Sequence, residues 1–121
     1  MHRQGVTWAG KIALKIDPSI LHDLAGQVRK DIFIVCGTNG KTTTTSLLGE
    51  IMKKARSEVY VVGNIGNPYT SVAGQMTDQA VTVAEVSSFQ LETIDMFRPK
   101  VSAILNITPD HLNRHHTMEA Y

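Results

Sequence analysis

The sequence predicts an α/β fold: a parallel sheet flanked by helices and carrying a P-loop. Three observations predict it. Short apolar runs rich in β-branched residues alternate with segments of helical spacing. The runs are apolar almost throughout, as expected of strands covered on both faces. The first of them leads directly into "GTNGK" and then into helical periodicity, the order strand, tight loop, helix.

Along the chain, "DPSILHDLAGQVRK" (17–30) reads as a helix. Asp17 suits the N-cap and Pro18 the first helical position. Ile20, Leu21, Leu24 and Val28 form one stripe, with Arg29-Lys30 at the C-terminal end. "DIFIVC" (31–36) is the first strand. Leu47, Leu48, Ile51, Met52 and Ala55 then recur at helical spacing, marking the apolar stripe of a second helix. "EVYVV" (58–62) is the next strand, closed by "GNIGNP", and Pro68 opens a short helix through about Met76. "AVTVAEV" (80–86) is a third strand, and "SSFQLETIDMF" is helical at its start. "VSAILNI" (101–107) is a fourth strand, ended by "TPDHLNRHH".

Each polar or glycine-rich cluster follows a strand's C-terminal end: 37–45, 63–67, 85–90 and 108–116. In an open parallel sheet those ends share one edge, where ligands bind. In the first cluster, Gly37 and Gly40 let the backbone around Thr38 and Asn39 turn tightly and aim N–H groups at an anion. The helix start adds its positive dipole end. Lys41 reaches toward β/γ-phosphates, Thr42 is placed for Mg²⁺, and the Thr43 hydroxyl lies within reach of phosphate or a free N–H. The full pattern G-x-x-x-x-G-K-[ST] wants a glycine at position 35, where this chain has Val35. Thr44 and Thr45 have no such task. Their methyls can pack on the sheet and their hydroxyls can bond back to carbonyls, at ~0.5 kcal/mol per residue in helix propensity.

Glu85 ends an apolar strand, where a carboxylate can hold Mg²⁺ directly or through water. The alternative is a capping carboxylate for the segment beginning Ser87-Ser88. Asp110 is placed to N-cap a helix. His111 follows a strand end closely enough to reach the same crevice as Glu85. His111 and His115 are four apart, so a helix would put them on one face; a zinc site there lacks an obvious third ligand. Asn64 in "GNIGNP" either positions a substrate or belongs to a turn.

Bulk composition narrows the class. The 121 residues suffice for one domain, and 42% apolar with 19% charged residues is ordinary for a globular protein. A net charge of +1, from 12 basic and 11 acidic residues, makes no electrostatic case for nucleic acid or an anionic membrane. Cys36 is the single cysteine, which excludes a disulfide framework and fits a cytoplasmic setting. No apolar run approaches membrane-spanning length.

Taken together, "GTNGKTTTT", "VVGNIGNPY", "VAEVSSFQLETI" and "SAILNITPDHLNRHHTMEAY" resemble the Mur ligase family, in its MurD branch, from about residue 37 onward. The resemblance implies a P-loop NTPase-like central ATP-binding domain, present here in part over 31–121. It implies an ATP-dependent, ADP-forming ligase of peptidoglycan synthesis that joins D-glutamate to UDP-N-acetylmuramoyl-L-alanine through an acyl phosphate. In that scheme Gly37, Thr38, Asn39, Gly40, Lys41, Thr42 and Thr43 bind the nucleotide. Thr42, Glu85 and His111 hold Mg²⁺, and Lys41, Glu85 and His111 serve catalysis. Asn64, Ser87 and Ser88 face the muramoyl substrate.

Residues 1–45 instead resemble the MurT branch, an ATP-binding subunit that amidates lipid II glutamate with a glutaminase partner. The chain thus reads as a mosaic joined at the P-loop, with a separate N-terminal segment over 1–30. Asn113 stands where the MurD branch usually has Asp, and Asn67 where an apolar residue is common. The adenine-contacting region, a carbamoylated lysine and the amino-acid-binding domain would lie beyond Tyr121. From these 121 residues alone the expectation is nucleotide binding rather than full ligation. The competing expectations are a MurT-like subunit and a nucleotide-binding remnant without catalysis.

Overall fold

The computed structural model describes residues 31–121, so the helix read over 17–30 lies outside the described residues. Four strands form one sheet: β1 (Ile32–Cys36), β2 (Val59–Gly63), β3 (Val81–Glu85) and β4 (Val101–Ile104). Their order is β2-β3-β1-β4 and all neighbours run parallel. Helix α1 (Lys41–Ala55) connects β1 to β2, while α2 (Ser88–Leu91) and α3 (Leu112–His115) are single turns.

The α/β architecture is the one the sequence predicts, and register explains why the site lies at one edge. Glu85 is level with Val35 of β1 on one side and Gly63 of β2 on the other. All five β3 residues are buried, as are four of the five in β1. Ile32, Ile34, Val62 and Ala84 form the core on one face, with Tyr60, Tyr69, Val72, Val86 and Phe97 packed against it. On the outside of the sheet, β4 leaves Val101 and Ile104 exposed.

Helix α1 uses only part of the stripe read from the sequence: Leu48 and Met52 are half-buried, but Ala55 is exposed. Leu47 and Ile51 are exposed, while Thr45 and Gly49 are the buried residues. Thr45 and Gly49 lie four apart, with half-buried Thr44, Leu48 and Met52 on the same side. Close approach is the reason: a Cβ at Gly49 would lie 2.4 Å from Val61 Cγ2. Small residues therefore make the closest contact with the sheet, flanked by half-buried Leu48 and Met52, while Leu47 and Ile51 are turned outward.

Other differences concern local length. The segment after Pro68 forms two short 3-10 turns, Tyr69–Ser71 and Ala73–Gln75, rather than one helix. The fourth strand ends at Ile104, three residues before the sequence reading, yet its pairing continues: Leu105 N–H donates to the Cys36 carbonyl and Thr38 N–H to the Asn106 carbonyl. No described helix is long and apolar enough to cross a membrane.

Candidate functional site

The first helical bond of α1 runs from Thr44 N–H to the Gly40 carbonyl at 3.0 Å. The N–H groups of the turn before it have no helical acceptor, the usual condition at a helix start. Gly40 has φ 82° and forms the N-cap without a side-chain cap. Those N–H groups and the dipole end of a 15-residue helix face an open cleft. Thr38 to Thr43, Asn64 and Glu85 line it. Lys41 folds over the loop, its Nζ donating to the Gly37 and Thr38 carbonyls at 2.9 and 2.8 Å.

Glu85 sits at the floor of the cleft, 2% exposed. Its Oε2 accepts from Thr42 Oγ1 at 2.8 Å and its Oε1 from Asn64 Nδ2 at 2.9 Å. Asn64 is itself held by its backbone N–H, which donates to the Glu85 carbonyl at 2.9 Å. Glu85 is thus not a helix cap. That task falls to Ser87, which forms a reciprocal capping box with Gln90.

A carboxylate this buried is costly unless its charge is compensated. Among the described residues no ion pair reaches Glu85; its bonded side-chain partners are a hydroxyl and an amide. A hard divalent cation fits this donor set, a carboxylate oxygen beside a threonine hydroxyl next to an anion cradle.

The structure brings together Thr38 to Thr43, Asn64 and Glu85, but not every residue singled out in the sequence. Gly37, Ser87, Ser88 and His111 are outside the cleft's lining. His111, not Asp110, occupies the N-cap position of α3, without a side-chain cap bond; Asp110 Oδ1 accepts from the His111 N–H. His111 is in the left-handed region at φ 53°, so it precedes the helix on which His115 sits. Phe89 contacts both rings, at 4.9 Å from His111 and 5.3 Å from His115. No group of three metal-ligating side chains occurs among the described residues, so a zinc site is not formed there.

Two sets of contacts were not visible in the sequence. His115, 7% exposed, bonds through Nε2 to Ser88 Oγ at 2.9 Å and lies 3.3 Å through Nδ1 from Glu92 Oε1. Arg114 donates to the other oxygen of Glu92 at 2.7 Å and holds that carboxyl below its usual range. These contacts tie α2 to α3. Asn106 is the second case: its side chain bonds the main chain of Asn39 in both directions. Sequence spacing carries no signal for either, because the partners are 27 and 67 residues apart.

Residues 35–121 match the Mur ligase middle domain. The chain is 69% identical over 90 residues to UDP-N-acetylmuramoylalanine--D-glutamate ligase of Lachnoclostridium phytofermentans. It is 67% identical over 91 residues to the enzyme of that name from Clostridioides difficile, and 58% over 92 residues to that of Caldicellulosiruptor bescii. These alignments cover 74%, 74% and 76% of this chain, and it spans 20% of each relative's length.

Proposed function

The chain belongs to the Mur ligase family through its middle domain, and from that premise we propose that it is the phosphate- and cation-handling part of an ATP-dependent ligase that joins D-glutamate to UDP-N-acetylmuramoyl-L-alanine. The names of its relatives support the substrates. The residues support the division of labour. Lys41 and the N–H groups at the start of α1 bind the nucleotide's terminal phosphates. Thr42 and Glu85 hold Mg²⁺, which supplies neutralisation of phosphate charge. Asn64 orients Glu85 and faces the muramoyl substrate. Beyond the cleft's lining, Ser87 and Ser88 are the residues for the muramoyl substrate and His111 the one for a metal ion between nucleotide and substrate, on the segments that the α2–α3 contacts hold together. The activity belongs in the cytoplasm, where ATP is the cosubstrate. A MurT-like role is not favoured, since the relatives over this segment carry the D-glutamate ligase name.

The observation that carries this reading is the Thr42–Glu85 contact at the mouth of the cradle. Isothermal titration of the chain with Mg·ADP tests it against Lys41→Ala. Loss of a charge-assisted contact of about 1.5–3 kcal/mol should weaken binding roughly 10- to 100-fold. Equal affinities for the two proteins would sink the phosphate-loop assignment.

A further inference from the structure

Not every N–H of the glycine loop faces the cleft. Asn39 N–H donates to Asn106 Oδ1 at 2.8 Å, and Asn106 Nδ2 donates back to the Asn39 carbonyl at 3.0 Å. The side-chain amide therefore pairs with one loop residue much as a neighbouring strand would. One residue earlier, Thr38 N–H donates to the Asn106 main-chain carbonyl at 3.1 Å. The Thr38 hydroxyl is occupied as well: it donates to the Thr108 carbonyl at 3.1 Å, accepts from Thr108 N–H at 3.0 Å and lies 3.0 Å from the Tyr121 hydroxyl. Gly37 permits this close approach. A Cβ there would lie 2.9 Å from the Asn106 carbonyl oxygen, and its φ of 121° suits only glycine.

We propose that Asn106 is a positioning residue for nucleotide binding: it withdraws the N–H groups of Thr38 and Asn39 from the anion and leaves the phosphate to those from Gly40 onward. This deepens the nucleotide-binding reading and rests on it. Asn106 acts through the loop and does not touch the ligand. It also joins the loop to the chain leading into His111, so the shape of the cradle is set by residues that follow β4.

Amide exchange and chemical-shift mapping of the ¹⁵N-labelled chain, with Mg·ADP as the probe, test this. Without nucleotide, the Asn39 amide should be protected in the wild type and exchange freely in Asn106→Ala. With Mg·ADP, the amides of Gly40 to Thr43 should shift while that of Asn39 stays in place. In Asn106→Ala the Asn39 amide should join the shifting set, and affinity should fall about tenfold, the cost of two neutral hydrogen bonds. Asn106→Asp keeps the acceptor, so it should retain Asn39 protection while still weakening ADP binding. That variant decides the matter if Asn106→Ala does not fold. An Asn39 amide that exchanges freely in the wild type, or shifts with those of Thr42 and Thr43, would overturn the proposal. A protected Asn39 amide with no ADP-induced shift anywhere would overturn the nucleotide reading and with it the functional half of the proposal, leaving a purely structural clamp.

Discussion

Thr42 Oγ1 donates to Glu85 Oε2 across 2.8 Å, joining the first turn of α1 to the end of β3 over 43 residues of sequence. The contact places a hydroxyl and a buried carboxylate where a hard cation beside bound phosphate would need them. Glu85→Gln keeps the shape and still bonds Thr42 and Asn64, but removes the charge. Addition of Mg²⁺ should strengthen ADP binding by the wild type and leave binding by Glu85→Gln nearly unchanged. Titration with ADP, with and without Mg²⁺, measures this. An equal Mg²⁺ effect on both proteins would show that Glu85 is not a cation ligand.

Gly49 sets how closely α1 approaches the sheet. Ala is ordinarily the better helix residue by roughly 0.5–1 kcal/mol. Here its Cβ would meet Val61 Cγ2 at 2.4 Å, so Gly49→Ala should instead destabilise by about 1–3 kcal/mol through overpacking. Val61→Ala should remove most of that penalty when combined with it. Urea denaturation of both single variants and the double variant gives the coupling energy; strict additivity would refute the contact.

The Glu92–Arg114 bond should respond to acid. Arg114 donates to Glu92, which holds that carboxyl below its ordinary value. A lowered folded pKa contributes stability above the unfolded value, about 4.3 for Glu. The contribution is lost as pH falls from there through the lower folded value. The difference in melting temperature between wild type and Glu92→Gln should be steady near neutrality and shrink in that acid window. A difference that grows on acidification would contradict the assignment.

Cys36 offers a probe of the sheet. Its thiol is buried at 5% exposure and donates to the Ala103 carbonyl of β4 at 3.4 Å. Burial pushes its pKa up, with the Lys41 ammonium opposing. The folded state thus resists the thiolate, and stability should decline as pH rises past the ordinary thiol value of about 8.5. A thiol reagent at pH 8 should label Cys36 only at the rate at which β4 separates from β1. Rapid labelling under native conditions, unaffected by low urea, would show that the thiol is open to solvent.

What the sequence made legible follows from the range of the interactions involved. Strand identity, sheet class and the phosphate loop are local signals, carried by "DIFIVC", "GTNGK" and the alternation of elements. Glu85 was readable because a charge at the end of an apolar run is conspicuous. The inward face of α1 is only partly legible: apolar periodicity picks out Leu48 and Met52 but also Leu47 and Ile51, whereas close approach of helix and sheet selects Thr45 and Gly49. In the threonine run, Thr45 is buried as its packing role predicts, but its buried hydroxyl has no partner and does not bond back to a carbonyl. Asn106 was invisible because its role lies entirely in a contact 67 residues away.

The ammonium of Lys41 already holds two neutral carbonyl oxygens, those of Gly37 and Thr38. An incoming ligand therefore meets an ammonium with one N–H left over, and gains a second bond only by displacing a carbonyl. Water and sugar hydroxyls offer acceptors no stronger than a peptide carbonyl, so they gain little by the exchange. A phosphate oxyanion does gain, because its negative charge adds a Coulombic attraction to the ammonium that a neutral carbonyl lacks. The resting geometry of one side chain thus weights the loop toward charged ligands over uncharged competitors.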